Sequence, residues 1–328
     1  MFLIRLAVYF YLGLILRRPS LCKRTLFYLP DLRTFFATVL NELCYLLRLS
    51  RSFRITSVSV ELSSRCNLNC ILCARNKAMT RAQGDIDFDT FRAMVDNNPD
   101  VPHYVLVGWG EMMLNPIFFD CVDYLGKKNK RISLTTNGTV FTEKNIERII
   151  ESTISHITIS VDGIDDVYES VRGYPYPKLE STIIRLSNRI KQTKKNIYLE
   201  INAVAYPNVV EQAKEMRRRL GPYVEDIRFS AYLEYNNPIK TNRTQPCREF
   251  WRGIIAVGYD GNVVPCCMDY NASMVLGNVR EARLIKLWNG QKMKLLRKEH
   301  SKRLFKFRCA TCYEAQSAGP ERIDKKFD

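Results

Sequence analysis

The chain contains little histidine, which limits the metal sites that it can build. Only His103, His156 and His300 are present among 328 residues, so zinc or haem sites that depend on several imidazole ligands are poorly supplied. Zinc-finger, RNA-recognition and aromatic-basic motifs are absent as well, so nucleic acid is the least favoured partner despite a net charge of +16. The positive charge has three interpretations. It is a general property of a basic soluble protein, it attracts an anionic substrate, or it attracts an anionic membrane surface.

Long apolar runs are also absent. Residues 1–16 are apolar apart from Arg5, but a membrane span needs about 20 such residues. A secretory signal is disfavoured, because Arg17 and Arg18 follow the apolar region and no small-residue cleavage site is present. A second stretch, residues 32–49, has its apolar side chains on a helical period. We predict amphipathic helices here that pack on the following domain or lie at a membrane surface as an anchor, with a single span as the third alternative.

Cysteine is plentiful and odd in number, with 11 residues. A chain of this length is not a small disulfide scaffold. Seven of the cysteines fall into two spaced groups, which indicates metal chemistry in a reducing compartment, and we therefore predict a cytoplasmic protein. Cys22, Cys44 and Cys121 have no spaced partners and are interpreted as structural.

From residue 57 onward, short β-like runs alternate with helical stretches. Predicted strands cover residues 57–62, 104–107, 132–135, 157–161, 197–203 and 227–230, and predicted helices between them cover 88–96, 117–127, 143–151, 179–191 and 209–220. This alternation predicts an α/β fold with a parallel sheet and right-handed crossovers. A turn-rich break at 233–246 precedes a predicted hairpin, 253–257 and 263–265, and a predicted helix at 284–300.

Three cysteines lie directly after the first predicted strand. Cys66, Cys70 and Cys73 have the spacing C-x3-C-x2-C. Three thiolates at this spacing can hold an iron–sulfur cluster while one iron keeps no protein ligand, and that iron can bind and reduce a second molecule. The alternatives are a zinc knuckle, for which no fourth ligand is near in the sequence, and a chance grouping of structural thiols.

Other polar or glycine residues follow the next strands in the same way. Gly108 comes after the second predicted strand, Asn137 after the third and Asp162 after the fourth. Ligands of parallel α/β sheets bind at the carboxyl ends of the strands. We therefore expect these residues to share one rim with Cys66.

A second cysteine group lies in the last third of the chain. It consists of Cys247, Cys266, Cys309 and Cys312, in which Cys266 ends a G-x4-C element and the last two form a C-x2-C pair. Four thiolates would close an iron–sulfur cluster completely, which suits electron transfer or structure. A four-cysteine zinc site is the alternative, and Cys267 is an alternative ligand to Cys266.

The first cysteine group and the segments after the next strands resemble the radical S-adenosylmethionine (SAM) superfamily. The C-x3-C-x2-C run is the cluster motif of that superfamily. The matching segments are 108–111 (GWGE), 135–138 (TTNG), 160–163 (SVDG) and 172–173 (RG). The resemblance covers residues 57–231 and departs from the family pattern at Met112, where proline often follows the glutamate.

The resemblance implies a partial (β/α)6 barrel, similar to a TIM barrel, that uses SAM. It implies that Cys66, Cys70 and Cys73 hold a [4Fe–4S] cluster, which supplies the electron that cleaves SAM to methionine and a 5′-deoxyadenosyl radical. The cofactor carries this chemistry and the protein positions the reactants. The SAM-binding residues implied by the matching segments are Gly108, Gly110, Glu111, Asn137, Ser160, Asp162 and Arg172.

The C-terminal part resembles the auxiliary-cluster extension of the same superfamily, known as the twitch or SPASM-type domain. Because no cysteine follows Cys312, the resemblance implies one auxiliary [4Fe–4S] cluster, held by Cys247, Cys266, Cys309 and Cys312. The implied organisation is a helical segment at 1–52, the barrel at 53–235, the small auxiliary-cluster domain at 236–315 and a polar tail at 316–328.

A second, fully ligated cluster favours a net two-electron oxidation of the substrate. The basic charge favours an anionic sugar, nucleotide or lipid-linked molecule, and the chain shows no N-terminal peptide-binding domain. The alternatives are a peptide-modifying maturase, a redox-neutral epimerase or carbon–carbon bond-forming enzyme, an iron–sulfur scaffold protein and a non-catalytic SAM-binding protein. The implied partners are an electron donor such as flavodoxin or ferredoxin and a peripheral membrane contact through residues 1–50.

Overall fold

Strands and helices alternate in the computed structural model, which describes residues 32–233, 235 and 245–312. Six strands make up the body of the sheet: β1 (Ser57–Val60), β2 (His103–Leu106), β3 (Arg131–Thr136), β4 (Ile154–Ser160), β5 (Tyr198–Val204) and β6 (Asp226–Ser230). They pair in chain order, and all of these pairings are parallel. Because β6 stays at an open edge of the sheet, the predicted partial barrel is confirmed.

Helices precede β1 and connect the strands. They are α1 (Leu32–Leu46), α2 (Ala74–Lys77), α3 (Phe88–Asp96), α4 (Phe118–Lys127), α5 (Glu143–Glu151), α6 (Asp165–Arg172), α7 (Tyr176–Thr193), α8 (Pro207–Glu211) and α9 (Ala213–Leu220). The connecting helices bury one apolar stripe against the sheet, as in α5, where Ile146, Ile149 and Ile150 are buried. The α5 helix begins after Thr142, whose hydroxyl accepts a hydrogen bond from the Asn145 N–H.

Two of the crossovers differ from the predicted pattern. The helix α6 forms where none was predicted, and the helix predicted at 209–220 is divided into α8 and α9 at Gln212. The side chain of Gln212 accepts a hydrogen bond from the Ile164 N–H (2.7 Å). This contact with the segment before α6 is tertiary, and the sequence pattern does not contain it.

The C-terminal segment extends the same sheet. The strand β7 (Ile254–Val257) pairs in parallel with β1, β8 (Asn262–Val264) pairs antiparallel with β7, and β9 (Gly277–Asn278) lies at the far edge. The hairpin agrees with the prediction, but its parallel pairing with β1 was not predicted. This pairing joins the C-terminal hairpin, which leads to Cys266, to the barrel strand that leads to Cys66.

The helix predicted at 284–300 is wrong as a single element. It is replaced by α10 (Leu284–Trp288) and α11 (Gln291–Ser301), with a break at Asn289 and Gly290. Asn289 uses its side chain to bind the backbone of Ser52, accepting from the N–H (3.0 Å) and donating to the carbonyl (2.9 Å). At this break, the side chain of Asn289 therefore holds the C-terminal segment against the residues that precede β1.

Some of the N-terminal and C-terminal predictions lie outside the described residues. These are the helix predicted within residues 1–16, the structural role of Cys22 and the polar tail at 316–328. Within the described part, no helix is both long enough and apolar enough to cross a membrane.

Candidate active site

A pocket of about 230 Å³ lies at the carboxyl ends of the parallel strands. Cys66, Cys70 and Cys73 line it from the loop that follows β1. Residues after β2, β3 and β4 complete the wall, and these include every residue implied for SAM: Gly108, Gly110, Glu111, Asn137, Ser160, Asp162 and Arg172. The fold therefore brings the separate sequence segments together at one rim.

The thiols of the first cysteine group lie within electrostatic reach of one another. Burial raises the pKa of the Cys70 thiol; Arg172 opposes this rise, whereas the neighbouring Cys73 and Cys66 add to it. Burial also raises the pKa of the Cys66 thiol. Such thiols keep their protons unless a cation replaces them, and iron binds the thiolate form. Three convergent thiols at the rim fit the three-cysteine ligand set of a [4Fe–4S] cluster.

Asn67, which directly follows Cys66, ties the cysteine loop to the end of β3. Asn137 Nδ2 donates to Asn67 Oδ1 (2.9 Å) and to Cys66 Sγ (3.7 Å). Asn67 Nδ2 in turn donates to Thr139 Oγ1 (2.8 Å). These contacts hold Cys66 in a defined position relative to β3. Sequence reasoning missed Asn67 because its partners lie 70 residues away or more.

Glu111 is buried in the pocket wall, and its carboxylate accepts hydrogen bonds from other residues of the protein. The carboxylate accepts hydrogen bonds from the Asn137 N–H (2.7 Å), the Thr136 hydroxyl (2.9 Å) and the Met113 N–H (3.3 Å). Burial raises the pKa of Glu111, and these hydrogen bonds oppose the rise. The side chain thus joins the loop after β2 to the end of β3, while the backbone of residues 108–110 lines the pocket.

Gly110 lies where two loops of the rim touch. A Cβ atom at this position would lie 2.4 Å from the carbonyl oxygens of Arg65 and Ser63, which is closer than unbonded atoms can approach. The Glu111 N–H donates a hydrogen bond to the Arg65 carbonyl (2.8 Å) at the same contact. Glycine is required here because the two backbones approach closely, and not because of a special dihedral angle.

The substitution Gly110→Ala is expected to weaken SAM binding about 10- to 100-fold, because the added methyl group moves the loop after β2 away from the cysteine loop. Titration calorimetry of the reconstituted protein with SAM measures the effect. Gly221→Ala is the matched control, since a Cβ atom at Gly221 meets no atom within 4 Å. Equal SAM affinity in the two variants would contradict the role of this contact.

Trp109 connects the pocket with the second cysteine group. Its backbone N–H donates to Glu61 Oε1 (2.9 Å), and its indole N–H donates to the Cys267 carbonyl (3.1 Å). Its ring packs edge-on against Tyr235 and Tyr270, with centroid distances of 5.9 and 5.5 Å. An aromatic wall therefore separates the pocket from the loop that carries Cys267.

An ion pair supports Trp109 from behind. Arg81 Nη2 lies 2.8 and 2.6 Å from the two carboxylate oxygens of Glu61, and Arg81 Nε donates to the Tyr270 carbonyl (2.6 Å). The family motif contains neither Glu61 nor Arg81. Glu61 and Arg81 are identified only by the contact between the barrel and the C-terminal segment that carries Tyr270.

Asp162 and Arg172 form a buried ion pair in the pocket wall. Arg172 Nη2 lies 2.7 Å from Asp162 Oδ2, and Asp162 Oδ1 accepts a hydrogen bond from the Val204 N–H (2.6 Å). Burial lowers the pKa of Arg172, but Asp162 and Cys70 more than offset that effect, so the pKa is raised and the guanidinium stays charged. The buried Nε of Arg172 has no hydrogen-bond partner among the described residues. A buried donor without a partner fits a pocket that takes an oxygen-bearing ligand.

The second cysteine group is partly assembled beside β8. The pKa of the half-buried Cys266 thiol is raised well above its usual range by a hydrogen bond with Cys267, by burial and by the nearby thiols of Cys267 and Cys247. Cys309 and Cys312 are both buried and lie on and directly after the turn that follows α11. Cys247 meets the end of α11, because its N–H donates to His300 Nδ1 (3.3 Å). Cys266 and Cys247 thus lie within electrostatic reach of each other, which fits two neighbouring cysteine ligands of an iron–sulfur cluster.

A single metal ion finds no ready site in the described part of the chain. No group of three or more histidine, cysteine, aspartate or glutamate residues there has the close spacing that one ion requires. A [4Fe–4S] cluster holds its cysteines farther apart than one ion does, because irons and sulfides lie between the thiolates. The absence of such a group therefore applies to sites for a single metal ion in the residues that the structure describes, and not to sites for a [4Fe–4S] cluster.

Two family models match the chain. The model of the radical SAM superfamily matches residues 60–238, which is more than half of the chain, and a model described as an iron–sulfur cluster-binding domain matches residues 247–313. The first match contains the pocket and its three cysteines. The second begins at Cys247 and ends just after Cys312.

Individual relatives are distant. The cofactor-modifying protein of tungsten-containing aldehyde ferredoxin oxidoreductase from Pyrococcus furiosus is 22% identical over 287 residues, covering 71% of this chain and 80% of that protein. The PqqA peptide cyclase of Gluconobacter oxydans is 20% identical over 272 residues, covering 71% of this chain and 76% of that protein. The crystal structure of BtrN in complex with AdoMet and 2-DOIA superposes with a TM-score of 0.52 at 18% identity, covering 76% of this chain and 89% of that chain. This structural likeness concerns the fold.

Proposed function

The chain belongs to the radical SAM superfamily, and on this premise we propose that it catalyses a net two-electron oxidation of an organic substrate. Its cofactors are SAM, a [4Fe–4S] cluster and an auxiliary iron–sulfur cluster. One observation carries the proposal: Trp109 lines the SAM pocket and also binds the backbone of Cys267, which directly follows the cluster candidate Cys266. A substrate in the pocket would thus be close to a group that can accept an electron.

We assign the first cofactor to Cys66, Cys70 and Cys73. Three thiolates would leave one iron of a cluster without a protein ligand, and SAM would take that place. When bound, the cluster and SAM supply the 5′-deoxyadenosyl radical that removes a hydrogen atom from the substrate. The chain contributes the positions: the contact between Asn67 and Asn137 holds the cysteine loop, and Glu111 holds the loop after β2.

The remaining pocket residues would bind SAM. The backbone of Gly108 and Gly110 would face its amino group, and Ser160 and Asp162 would lie near its ribose and carboxylate. Arg172 would contribute a positive charge to the pocket wall, while Asp162 holds the guanidinium in place. We infer that Asn137 serves mainly to position Cys66, because its side chain is already bound to Asn67, Cys66 and Thr139.

We assign the auxiliary cluster to Cys247, Cys266, Cys309 and Cys312. Four thiolates complete the coordination of the cluster, so it can accept an electron without binding SAM. The half-buried Cys266 is preferred to the exposed Cys267. We keep the corresponding division into a barrel at 53–235 and an auxiliary domain at 236–315. The donor of the first electron would be a flavodoxin or ferredoxin in the cytoplasm.

An anionic small molecule is our first candidate substrate. Arg75 lines the pocket, and its guanidinium donates to the uncharged oxygens of Leu68 and Asn69. No carboxylate of the described residues neutralises it by an ion pair, so its charge remains available to a sugar phosphate or nucleotide. A peptide is the second candidate, since one relative of similar length is a peptide cyclase.

The proposal is tested with the full-length protein, reconstituted anaerobically, reduced and supplied with SAM and an extract of a strain that lacks this protein. Mass spectrometry should detect 5′-deoxyadenosine together with a product that has lost two hydrogen atoms. An isomeric product would indicate a redox-neutral reaction, and a product in the peptide fraction would indicate a maturase. Absence of 5′-deoxyadenosine would favour a non-catalytic iron–sulfur protein.

A further inference from the structure

The helix α1 differs from an ordinary surface helix, because a row of its large apolar side chains is exposed while two of its polar side chains are buried. Its buried residues are Thr34, Ala37 and Asn41. Leu32 and Phe36, by contrast, are 75% and 46% exposed, and Leu40 continues the same row at a spacing of four residues. Surface helices normally bury the apolar stripe and expose the polar one.

Asn41 fixes this orientation. Its Oδ1 accepts hydrogen bonds from Ser52 Oγ (2.7 Å), the Phe53 N–H (2.9 Å) and the Arg54 N–H (3.0 Å). Its Nδ2 donates to the carbonyls of Arg54 (2.8 Å) and Arg252 (3.2 Å). Turning the apolar face inward would break all of these bonds and leave buried backbone groups unpaired, so the outward apolar face is a fixed feature of the fold.

The exposed apolar surface continues beyond the helix. Seven of the twelve large apolar side chains that are exposed in the described part lie within residues 32–53. They are Leu32, Phe36, Leu40, Leu46, Leu47, Leu49 and Phe53, and together they are called the N-terminal apolar surface. A concentration of this kind is typical of a surface that docks on something else.

The charge of this part of the chain indicates the nature of its partner. Residues 1–54 contain nine basic and two acidic residues. One of the two acidic side chains, Glu42, is paired with Arg248. Arg33 and Arg51 are exposed along the same segment as the apolar side chains. An apolar surface with basic residues and almost no free acid matches the interface of an anionic bilayer.

We propose that the N-terminal apolar surface docks the protein on an anionic membrane surface. The apolar side chains enter the boundary between headgroups and acyl chains, and the arginines meet the lipid phosphates. The preceding 31 residues are apolar over 1–16 and basic at Arg17 and Arg18, which continues the same chemistry toward the N-terminus. The inference is independent of the proposed reaction, because it rests on a different part of the molecule.

The position of α1 also sets the orientation of the docked enzyme. Asn41 binds residues 52–54 and 252, which directly precede β1 and β7 and so lie at the amino ends of these strands. The SAM pocket lies at the carboxyl ends of the parallel strands. The strands β1 and β7 have four residues each, and at about 3.3 Å per residue they separate the two ends by about 10 Å. The pocket therefore opens away from the bilayer, toward a water-soluble substrate.

Vesicle sedimentation of the full-length, reconstituted protein tests the docking. We expect binding to vesicles of phosphatidylcholine with phosphatidylglycerol, and little binding to phosphatidylcholine alone. Replacing Leu32, Phe36 and Leu40 together by glutamine should weaken that binding at least about tenfold. Binding should also weaken when the salt concentration rises from about 0.1 M to about 1 M.

Leu114→Gln is the matched control. Leu114 is 37% exposed, as is Leu40, but it lies beyond the carboxyl end of β2. Its vesicle binding should equal that of the original protein, and the melting temperatures of all variants should agree, since each replaced side chain is exposed. Unchanged binding of the triple variant would overturn the proposal. Conversion of a dimer into a monomer by the same substitutions, measured by light scattering, would overturn it in favour of a self-contact.

Tryptophan quenching by brominated lipids tests the orientation. Phe36→Trp should add a fluorescence component that brominated phosphatidylglycerol quenches, whereas Leu114→Trp should add a component that it leaves unquenched. Quenching of both, or of the Leu114→Trp component alone, would contradict an enzyme that docks through α1 with its pocket facing away from the bilayer.

Discussion

Replacing Cys66 by alanine is expected to abolish reductive cleavage of SAM. Loss of a residue that merely orients a metal ligand costs about 10- to 100-fold, so the loss of a direct cluster ligand should lower 5′-deoxyadenosine formation by more than about 100-fold. The structure supports this large effect, because Cys66 lines the pocket with Cys70 and Cys73 and is held in place by Asn137. Chromatographic measurement of 5′-deoxyadenosine after dithionite reduction checks the prediction.

Cys121→Ala is the control for removal of a thiol. Cys121 is fully buried in α4 and does not line the pocket. We expect this variant to keep SAM cleavage and to lose stability by about 1 kcal/mol, since a small buried group is removed. Retained cleavage in Cys66→Ala, or equal losses in the two variants, would contradict the assignment of the first cluster.

Replacing Cys309 by alanine is expected to separate SAM cleavage from oxidation of the substrate. The iron content should fall from about eight to about four atoms per chain, because two [4Fe–4S] clusters become one. Formation of 5′-deoxyadenosine should continue, since the pocket and its three cysteines are unchanged, while the oxidised product should disappear. Iron and sulfide analysis, together with product analysis, provides both measurements.

Cys267→Ala distinguishes between the two neighbouring candidates for the auxiliary cluster. Cys267 is exposed, whereas Cys266 is half-buried and lies near the thiol of Cys247. We expect Cys267→Ala to retain about eight iron atoms per chain. Eight iron atoms in Cys309→Ala would contradict the auxiliary-cluster assignment, and one zinc per chain in the original protein would replace it by a structural zinc site.

The sequence alone was sufficient for the parts of the site that follow directly from chain order. Cys66, Asn137 and Asp162 each follow a strand of a parallel sheet, and the carboxyl ends of parallel strands must lie on one side. Their convergence in one pocket is therefore a consequence of the alternating pattern of strands and helices. Chain order does not predict the roles of Asn67 and Glu61, because their hydrogen-bond partners depend on how the loops fold over one another.

The predicted helix boundaries were wrong where a side chain binds the backbone of a distant segment. Asn289 breaks the predicted helix at 284–300 because it binds Ser52, and Gln212 lies at the division between α8 and α9 while it binds Ile164. A local apolar period does not contain these contacts. The parallel pairing of β7 with β1 likewise joins segments about 200 residues apart, and no local pattern predicts such a pair.

The helix α1 shows most clearly which properties follow from the sequence and which follow from the tertiary structure. Its sequence determines an apolar and basic helical segment, because propensity and side-chain period are local properties. Only the tertiary structure decides which face is buried: Asn41 binds the chain that enters β1 and turns Leu32 and Phe36 outward. The order of the site's segments was thus determined by the sequence, since it depends on residue type and spacing, and the resemblance to the radical SAM superfamily implied the cofactors. The tertiary structure decided what supports the site and which surface faces a partner, since both depend on contacts between distant residues.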